Sequence, residues 1–145
     1  MGGLSPMMRH YLEVKEKYKD CIIFYRLGDF YEMFFEDAKE VSQLLDLTLT
    51  GRDCGLAERA PMCGVPFHAA DTYIAKLVGM GKKVAICEQL TEPTPGKGMV
   101  ERDVIRVVSA GTLIEENLLD EKKNNYIVCA FREGTQCALA WADIT

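Results

Sequence analysis

The sequence predicts an α+β fold in which a mixed β-sheet is flanked by helices on both faces. Helix-like and strand-like segments interleave along the 145 residues, but without the strict repetition of βαβ units. The strand-like segments near residues 48 and 63 are too close in sequence for a helical crossover, so part of the sheet should be antiparallel. The contents of 48% hydrophobic and 27% charged residues are those of an ordinary globular domain, which argues against disorder.

The first third of the chain predicts a helix, a strand and a second helix in that order. Residues 5–19 begin with a Ser-Pro pair, in which the serine caps the helix and the proline fits its first turn. Residues 21–25 form a dense run of β-branched and aromatic side chains, typical of a buried strand, which Gly28 then ends. From Phe34 to Leu45, apolar residues recur at steps of four, three and four, which predicts one face of a helix.

The middle of the chain predicts five further elements. Residues 48–50 read as a short strand, and residues 62–66 as a short extended segment. Residues 68–80 predict a helix, with apolar positions facing inward and glycines at its end. Residues 83–90 and 104–108 predict two strands, and the loop between them is rich in proline and glycine.

The chain divides into a first domain and the beginning of a second. We expect the first domain at residues 1–113, a polar linker at 114–123, and the start of another domain at 124–145. Two strand-like runs, residues 126–131 and 136–142, surround a turn and predict a β-hairpin. A hairpin with no further strands is marginally stable alone, so we interpret it as the incomplete opening of that domain.

The charge of the chain limits how it could hold nucleic acid. The formal net charge is −5, and residues 1–113 carry 14 Lys or Arg against 16 Asp or Glu. This balance argues against a protein that holds DNA by bulk charge, so any nucleic-acid site must be local. No apolar run is long enough for a transmembrane helix and no export signal is evident, so we expect a cytoplasmic protein without membrane partners.

The six cysteines do not form a recognisable metal site. None lies in a CxxC pattern and the chain has two histidines, so a zinc site of familiar spacing is not predicted. Cys21, Cys87, Cys129 and Cys137 lie in apolar runs and are expected to be small buried hydrophobic residues. Because there is no export signal, we expect reduced thiols rather than disulfides.

An acidic segment offers one hypothesis for chemistry. Glu32, Glu36 and Glu40 share a helix face if the helix begins early enough, since they are spaced by four. Together with Asp29 and Asp37, these carboxylates could converge on the metal of a nuclease. The alternative is a solvated helix surface.

The segment around Phe30 is the most informative, and it leaves two alternatives. Phe30 precedes Phe34 by four residues, so it could belong to the same helix face and lie in the core. It could instead project from the turn after Gly28 as an apolar wedge, with Glu32 as a polar neighbour. The residues alone favour the core position.

Residues 28–32, Gly-Asp-Phe-Tyr-Glu, resemble the Phe-x-Glu motif of the bacterial MutS family of DNA mismatch sensors. Five flanking segments are similar to the same family, in the same order, along nearly the whole chain. These segments are residues 5–8, 48–52, 62–69, 84–89 and 107–112.

The resemblance implies that the chain binds mismatched double-stranded DNA. Phe30 would enter from the minor groove and stack on a mispaired base, where weak pairing lowers the cost of unstacking. Glu32 would hydrogen-bond the mispaired base. Against a purine ring acceptor Glu32 must be protonated, because an ionised carboxylate only accepts hydrogen bonds. We therefore expect mismatch discrimination to depend on pH through Glu32.

Further residues resemble family positions near the DNA. Arg52 should contact the DNA backbone from a loop, and Met62 should pack beside the wedge in the minor groove. The alternatives are a surface arginine and a core methionine. Asp29 is another candidate contact, and Arg102 and Arg106, on one predicted strand, could also face DNA.

The resemblance also implies what surrounds this module. Residues from about 124 resemble the opening of the family's connector domain, which has an RNase H-like fold. ATP and Mg²⁺ belong to the family's ATPase domain, so we expect this fragment to be a DNA-binding module with no cofactor, metal site or catalytic residue. The parent protein is expected to form a homodimer and to recruit MutL. The alternatives are a nuclease built on the acidic segment and a protein-interaction module built on the hairpin edges.

Overall fold

A computed structural model describes residues 3–91, 100–112, 124 and 126–143. Within these residues a six-stranded mixed sheet with helices is followed by a separate two-stranded hairpin, which confirms the predicted α+β class. Short 3₁₀ turns occupy Phe67–Ala69 and Ala110–Thr112. The main elements are α1 (Pro6–Lys17), β1 (Cys21–Leu27), β2 (Phe30–Phe34), α2 (Phe35–Leu45), β3 (Thr50–Arg52), β4 (Ala60–Pro66), α3 (Ala70–Gly79), β5 (Lys83–Gln89), β6 (Arg102–Val108), β7 (Tyr126–Glu133) and β8 (Gln136–Asp143).

The strand order in the large sheet is β3-β4-β2-β1-β5-β6. β1 and β5 are parallel, and the other neighbouring strands are antiparallel. The antiparallel pairing expected near residues 48 and 63 is confirmed, because β3 pairs with β4. This order brings the β1–β2 turn, the ends of β4 and β5 and the start of β6 to one end of the sheet.

Strand β2 corrects one prediction. Periodicity predicts a helix from Phe34, and only an earlier start would put Glu32 on one face with Glu36 and Glu40. Instead, Gly28 adopts a φ of 58°, and a two-residue turn sends the chain back along β1. Glu32 is therefore a strand residue, and the carboxylate stripe along a helix is wrong.

Helices cover both faces of the sheet, as predicted. α1 packs on one face, and α2 and α3 pack on the other, so each face has its own core. Because side chains alternate along a strand, β2 contributes to both cores. The α1-side core includes Met8, Tyr11, Val14, Ile23, Tyr25 and Phe34, and the opposite core includes Phe24, Tyr31, Met33, Val41, Ile74 and Leu77.

A buried carboxylate ties α1, β1 and α2 together. Asp37 Oδ1 accepts a hydrogen bond from Lys15 Nζ at 2.7 Å, and Oδ2 accepts from the Tyr11 hydroxyl and the Ile23 amide at 3.0 Å each. Lys15 Nζ also donates to the Cys21 carbonyl oxygen at 2.6 Å. Burial, reinforced by the Asp37 charge, raises the pKa of Tyr11 well above its usual value, so the phenol stays a donor. Asp37 is thus fully partnered, which offsets the cost of burying its charge.

The predicted hairpin is formed by β7 and β8, and each of their residues is exposed. Cys129 and Cys137 are therefore exposed, so the prediction that they are buried is wrong, whereas Cys21 and Cys87 are buried as predicted. The physical reason is that an apolar run in a two-stranded sheet has no second layer to pack against. All six cysteines are unbonded.

Two predicted segments fall mainly on residues that the structure does not describe. The linker at residues 114–123 lies outside the described residues, as does the loop 91–98 apart from Thr91. In the part of the chain that the structure does describe, no helix has the length and apolar character needed to cross a membrane.

The cysteines should differ sharply in reactivity. Brief treatment of the folded chain with iodoacetamide near neutral pH should label Cys129 and Cys137 first. Cys63 and Cys87 should be protected, because burial raises their pKa to about 11 and about 12 and leaves little thiolate. Peptide mass mapping would measure the order, with labelling in urea as the control in which every cysteine reacts. Equal labelling of the four in the folded chain would contradict this prediction.

Candidate nucleic-acid interface

Phe30 lies at the tip of the β1–β2 hairpin and is 46% exposed. It pairs with Leu27 across a two-residue turn whose first residue is Gly28, the glycine position of a type II′ turn. Phe34 shares its face of the strand but is fully buried, because Tyr11 of α1 packs against it with ring centroids 5.1 Å apart. The core alternative for Phe30 is therefore wrong, since α1 covers one end of this sheet face and leaves the hairpin end open.

Neighbouring segments hold the turn in place. The Gly28 amide donates to Gln89 Oε1 at 2.9 Å, and the Phe67 amide donates to the Asp29 carbonyl oxygen at 2.8 Å. Arg26 Nε donates to the Gly28 carbonyl oxygen, while its guanidinium lies 3.5 Å from the centroid of the Phe67 ring. Contacts from β1, β5 and the segment after β4 thus present Phe30 on an ordered turn. Asp29 is exposed beside it.

Glu32 forms an ion pair with Arg52 on the same face of the sheet as Phe30. Arg52 Nη1 lies 2.5 Å from Glu32 Oε2, and the two side chains are 40% and 15% exposed. The Arg52 side of this pair is open to solvent, whereas the Glu32 side chain is largely enclosed. The structure therefore brings together two residues that the sequence identified separately.

A glycine lies beside this contact on β4. Glu32 and Arg52 lie on β2 and β3, on either side of β4, where Glu32 is level with Gly64 and Arg52 with Ala60. The residue opposite Glu32 on β4 is Gly64, and a Cβ there would lie 3.4 Å from Glu32 Cγ and 3.2 Å from the Tyr31 carbonyl oxygen. Gly64 is not among the site residues predicted from the sequence, although a glycine inside a predicted strand is a signal of close approach.

The other predicted contacts are placed differently. Met62 lies opposite Phe34 on β4 and is half-buried against the α1-side core, and its contact with DNA stays a prediction. Arg102 lies on the Phe30 side of the sheet, with its guanidinium 5.3 Å from the centroid of the Tyr25 ring. Arg106 pairs with Ile86, which belongs to the opposite core. An irregularity in the β5–β6 register separates the two arginines, so they face opposite sides.

The acidic segment does not converge on a common centre. Four of its five carboxylates are each paired with a different cation, and no three metal-binding side chains meet anywhere in the described parts of the chain. This arrangement does not favour the nuclease hypothesis. The four pairs are Glu32–Arg52, Glu36–Lys39, Asp37–Lys15 and Glu40–Lys82.

Most of the chain matches a known protein family. A model of the family described as MutS domain I matches residues 5–117, which is most of the chain. The chain belongs to the MutS domain I family. The resemblance noted from the residues around Phe30 and Glu32 is thereby confirmed at the level of the family.

Individual relatives of this MutS domain I carry a consistent name. The chain is 61% identical over its whole length to DNA mismatch repair protein MutS of Ruminiclostridium cellulolyticum, and 60% identical to that of Acetivibrio thermocellus, covering 17% of each. It is 60% identical over 99% of its length to the protein of the same name from Clostridium botulinum, covering 15% of that protein. The chain thus spans about one sixth of the length of these curated relatives.

Proposed function

We propose that this chain recognises mismatched or unpaired bases in duplex DNA and acts in DNA mismatch repair. Phe30 is the wedge that stacks on the mispaired base from the minor groove, and Glu32 hydrogen-bonds that base. The observation that carries the proposal is the exposed Phe30 on an ordered turn, with Glu32 two residues along on the same face. Membership of the family and the name shared by its relatives support it.

The energetics of a wedge fit this site. Unstacking a base step costs a few kcal/mol, and the cost is lower where pairing is already weak. Recognition then depends on how easily the duplex deforms rather than on direct contacts that read the edges of particular bases. The acidic balance of the chain agrees with a module that supplies shape recognition, while other domains supply most of the phosphate contacts.

The proposal extends to the protein of which this chain is a part. Residues 1–113 form the recognition domain, 114–123 a linker, and 124–145 the start of an RNase H-like connector domain. The module itself is a binding unit without cofactor or catalytic residue. The full-length protein binds ATP and Mg²⁺ in a separate ATPase domain, forms a homodimer and recruits MutL.

A direct titration tests the proposed function. The full-length protein should bind a duplex with a G·T mismatch or an unpaired base more tightly than the same duplex fully paired, at one fixed salt concentration. Equal affinities would overturn the proposal. Incubation of plasmid DNA with the protein and Mg²⁺ or Mn²⁺ separates this function from the nuclease alternative, because only a nuclease of the acidic segment cleaves it.

Discrimination should weaken as pH rises. The contact to a purine ring acceptor needs the protonated carboxyl of Glu32, whereas the ionised form prefers Arg52. Measuring both affinities between about pH 5.5 and 8.5 should show this loss in the wild type. Glu32→Gln is the control, because its amide does not titrate, and its discrimination should stay constant. A flat wild-type profile would contradict the predicted role of protonation.

A further inference from the structure

Glu32 and Arg52 are both predicted to contact DNA, but in this structure they form an ion pair with each other. Glu32 is assigned to the mispaired base and Arg52 to the DNA backbone, yet Arg52 Nη1 and Glu32 Oε2 are 2.5 Å apart. The Glu32 side chain is the less exposed of the two, and Arg52 lies on the edge strand β3. Glu32 therefore has to exchange this partner before it engages a base.

We propose that mismatch recognition, as described above, proceeds by exchange of this ion pair. Glu32 leaves Arg52 for the mispaired base, and Arg52 transfers to a DNA phosphate. On fully paired DNA no base takes up Glu32, so the pair stays closed and Arg52 makes no phosphate contact. Arg52 is then a specificity-determining residue, because its phosphate contact is conditional on Glu32. The inference rests on the proposed function.

The local structure permits this exchange. Gly64 lies opposite Glu32 on β4 and places no side chain against it at this position. Arg52 is 40% exposed on an edge strand, so its guanidinium can turn toward solvent or a phosphate. If the pair opened on paired DNA, Glu32 would face phosphates without a partner, which penalises that complex.

The exchange predicts that Arg52→Gln removes a phosphate contact on one duplex and not on the other. In the full-length protein, this variant should weaken binding to G·T DNA and reduce the slope of log affinity against log salt by about 0.9, the value for one phosphate contact. On the matched, fully paired duplex the slope should be unchanged, because Arg52 contacts no phosphate there, whereas the affinity should fall because Glu32 has lost its partner. Titrations over a series of salt concentrations measure both quantities.

The same substitution should behave differently once Glu32 is absent. In a Glu32→Ala background Arg52 is released on every duplex, so adding Arg52→Gln should weaken G·T and paired DNA equally and reduce both salt slopes. A reduced slope on paired DNA thus appears only when Glu32 is removed, and a loss of folding cannot produce that pattern. Arg59→Gln is the matched control, because Arg59 is an exposed arginine close to β3 and its loss should affect both duplexes alike.

Three results would overturn the exchange. If Arg52→Gln reduces the salt slope on both duplexes equally while Glu32 is present, Arg52 is an unconditional phosphate contact. If it reduces neither slope, no transfer to phosphate takes place. If its effect on the slope for paired DNA is the same with and without Glu32, the two residues are not coupled. Failure of the proposed function itself looks different, because the wild type then shows no preference for G·T DNA.

Discussion

Replacing Phe30 with alanine should remove most of the preference for mismatched DNA while leaving the fold intact. Stacking of an aromatic side chain on a base is worth about 1–3 kcal/mol, so affinity for a G·T duplex should fall roughly 5- to 150-fold. Binding to fully paired DNA should change little, since the wedge does not enter an intact stack. Because the side chain is 46% exposed, its removal leaves no large core cavity. Titration of the full-length variant against both duplexes measures the effect, and circular dichroism checks the fold.

Phe67 supplies a matched control for this experiment. It is 47% exposed and its amide hydrogen-bonds the turn at Asp29, so it resembles Phe30 in type, exposure and position. Its ring, however, packs against Arg26 and Tyr31, on the opposite side of the sheet. Phe67→Ala should therefore keep mismatch preference. Equal losses in the two variants, or normal preference after Phe30→Ala, would rule out a specific wedge at Phe30.

Replacing Asp37 with alanine should lower the free energy of unfolding by roughly 3 kcal/mol. The substitution leaves the Tyr11 hydroxyl and the Ile23 amide without their buried acceptor and Lys15 without its counter-ion. Lys15 is partly exposed and can turn to water, which places the loss at the lower end of the range for broken buried ion pairs. Three elements meet at this carboxylate, so the whole large sheet should lose stability.

Glu36→Ala is the matched control for Asp37→Ala. Glu36 is the preceding acid on α2 and also pairs with a lysine, but its side chain is 83% exposed. Its loss should cost no more than about 0.5 kcal/mol. Urea unfolding of the chain followed by far-UV circular dichroism is the suitable measurement, because the single tryptophan, Trp141, lies in the exposed hairpin. Similar losses in both variants would show that the buried network does not hold the fold.

The sequence by itself determined the fold class, most of the elements and the family. Helix α1, the apolar strands β1 and β5 and the β7–β8 hairpin follow from patterns that lie within a few consecutive residues. Such patterns show which residues will be buried, because the backbone of a helix or strand sets the spacing at which apolar residues fall on one face. The family was recognisable for the same reason, because the motif from Gly28 to Glu32 and the five flanking segments are each continuous in the chain.

Tertiary structure alone decided how the site is arranged. Residues 30–34 carry apolar positions compatible with helix or strand, and pairing with β1 and β4 selected the strand. Whether Phe30 is core or surface depended on where α1 stops covering the sheet, since Phe34 occupies the same strand face and is buried. The Glu32–Arg52 pair joins residues twenty positions apart across an intervening strand. A local sequence pattern does not show which part of a sheet a distant helix covers, or which residues meet across the sheet. Both are decided only when separate elements pack together.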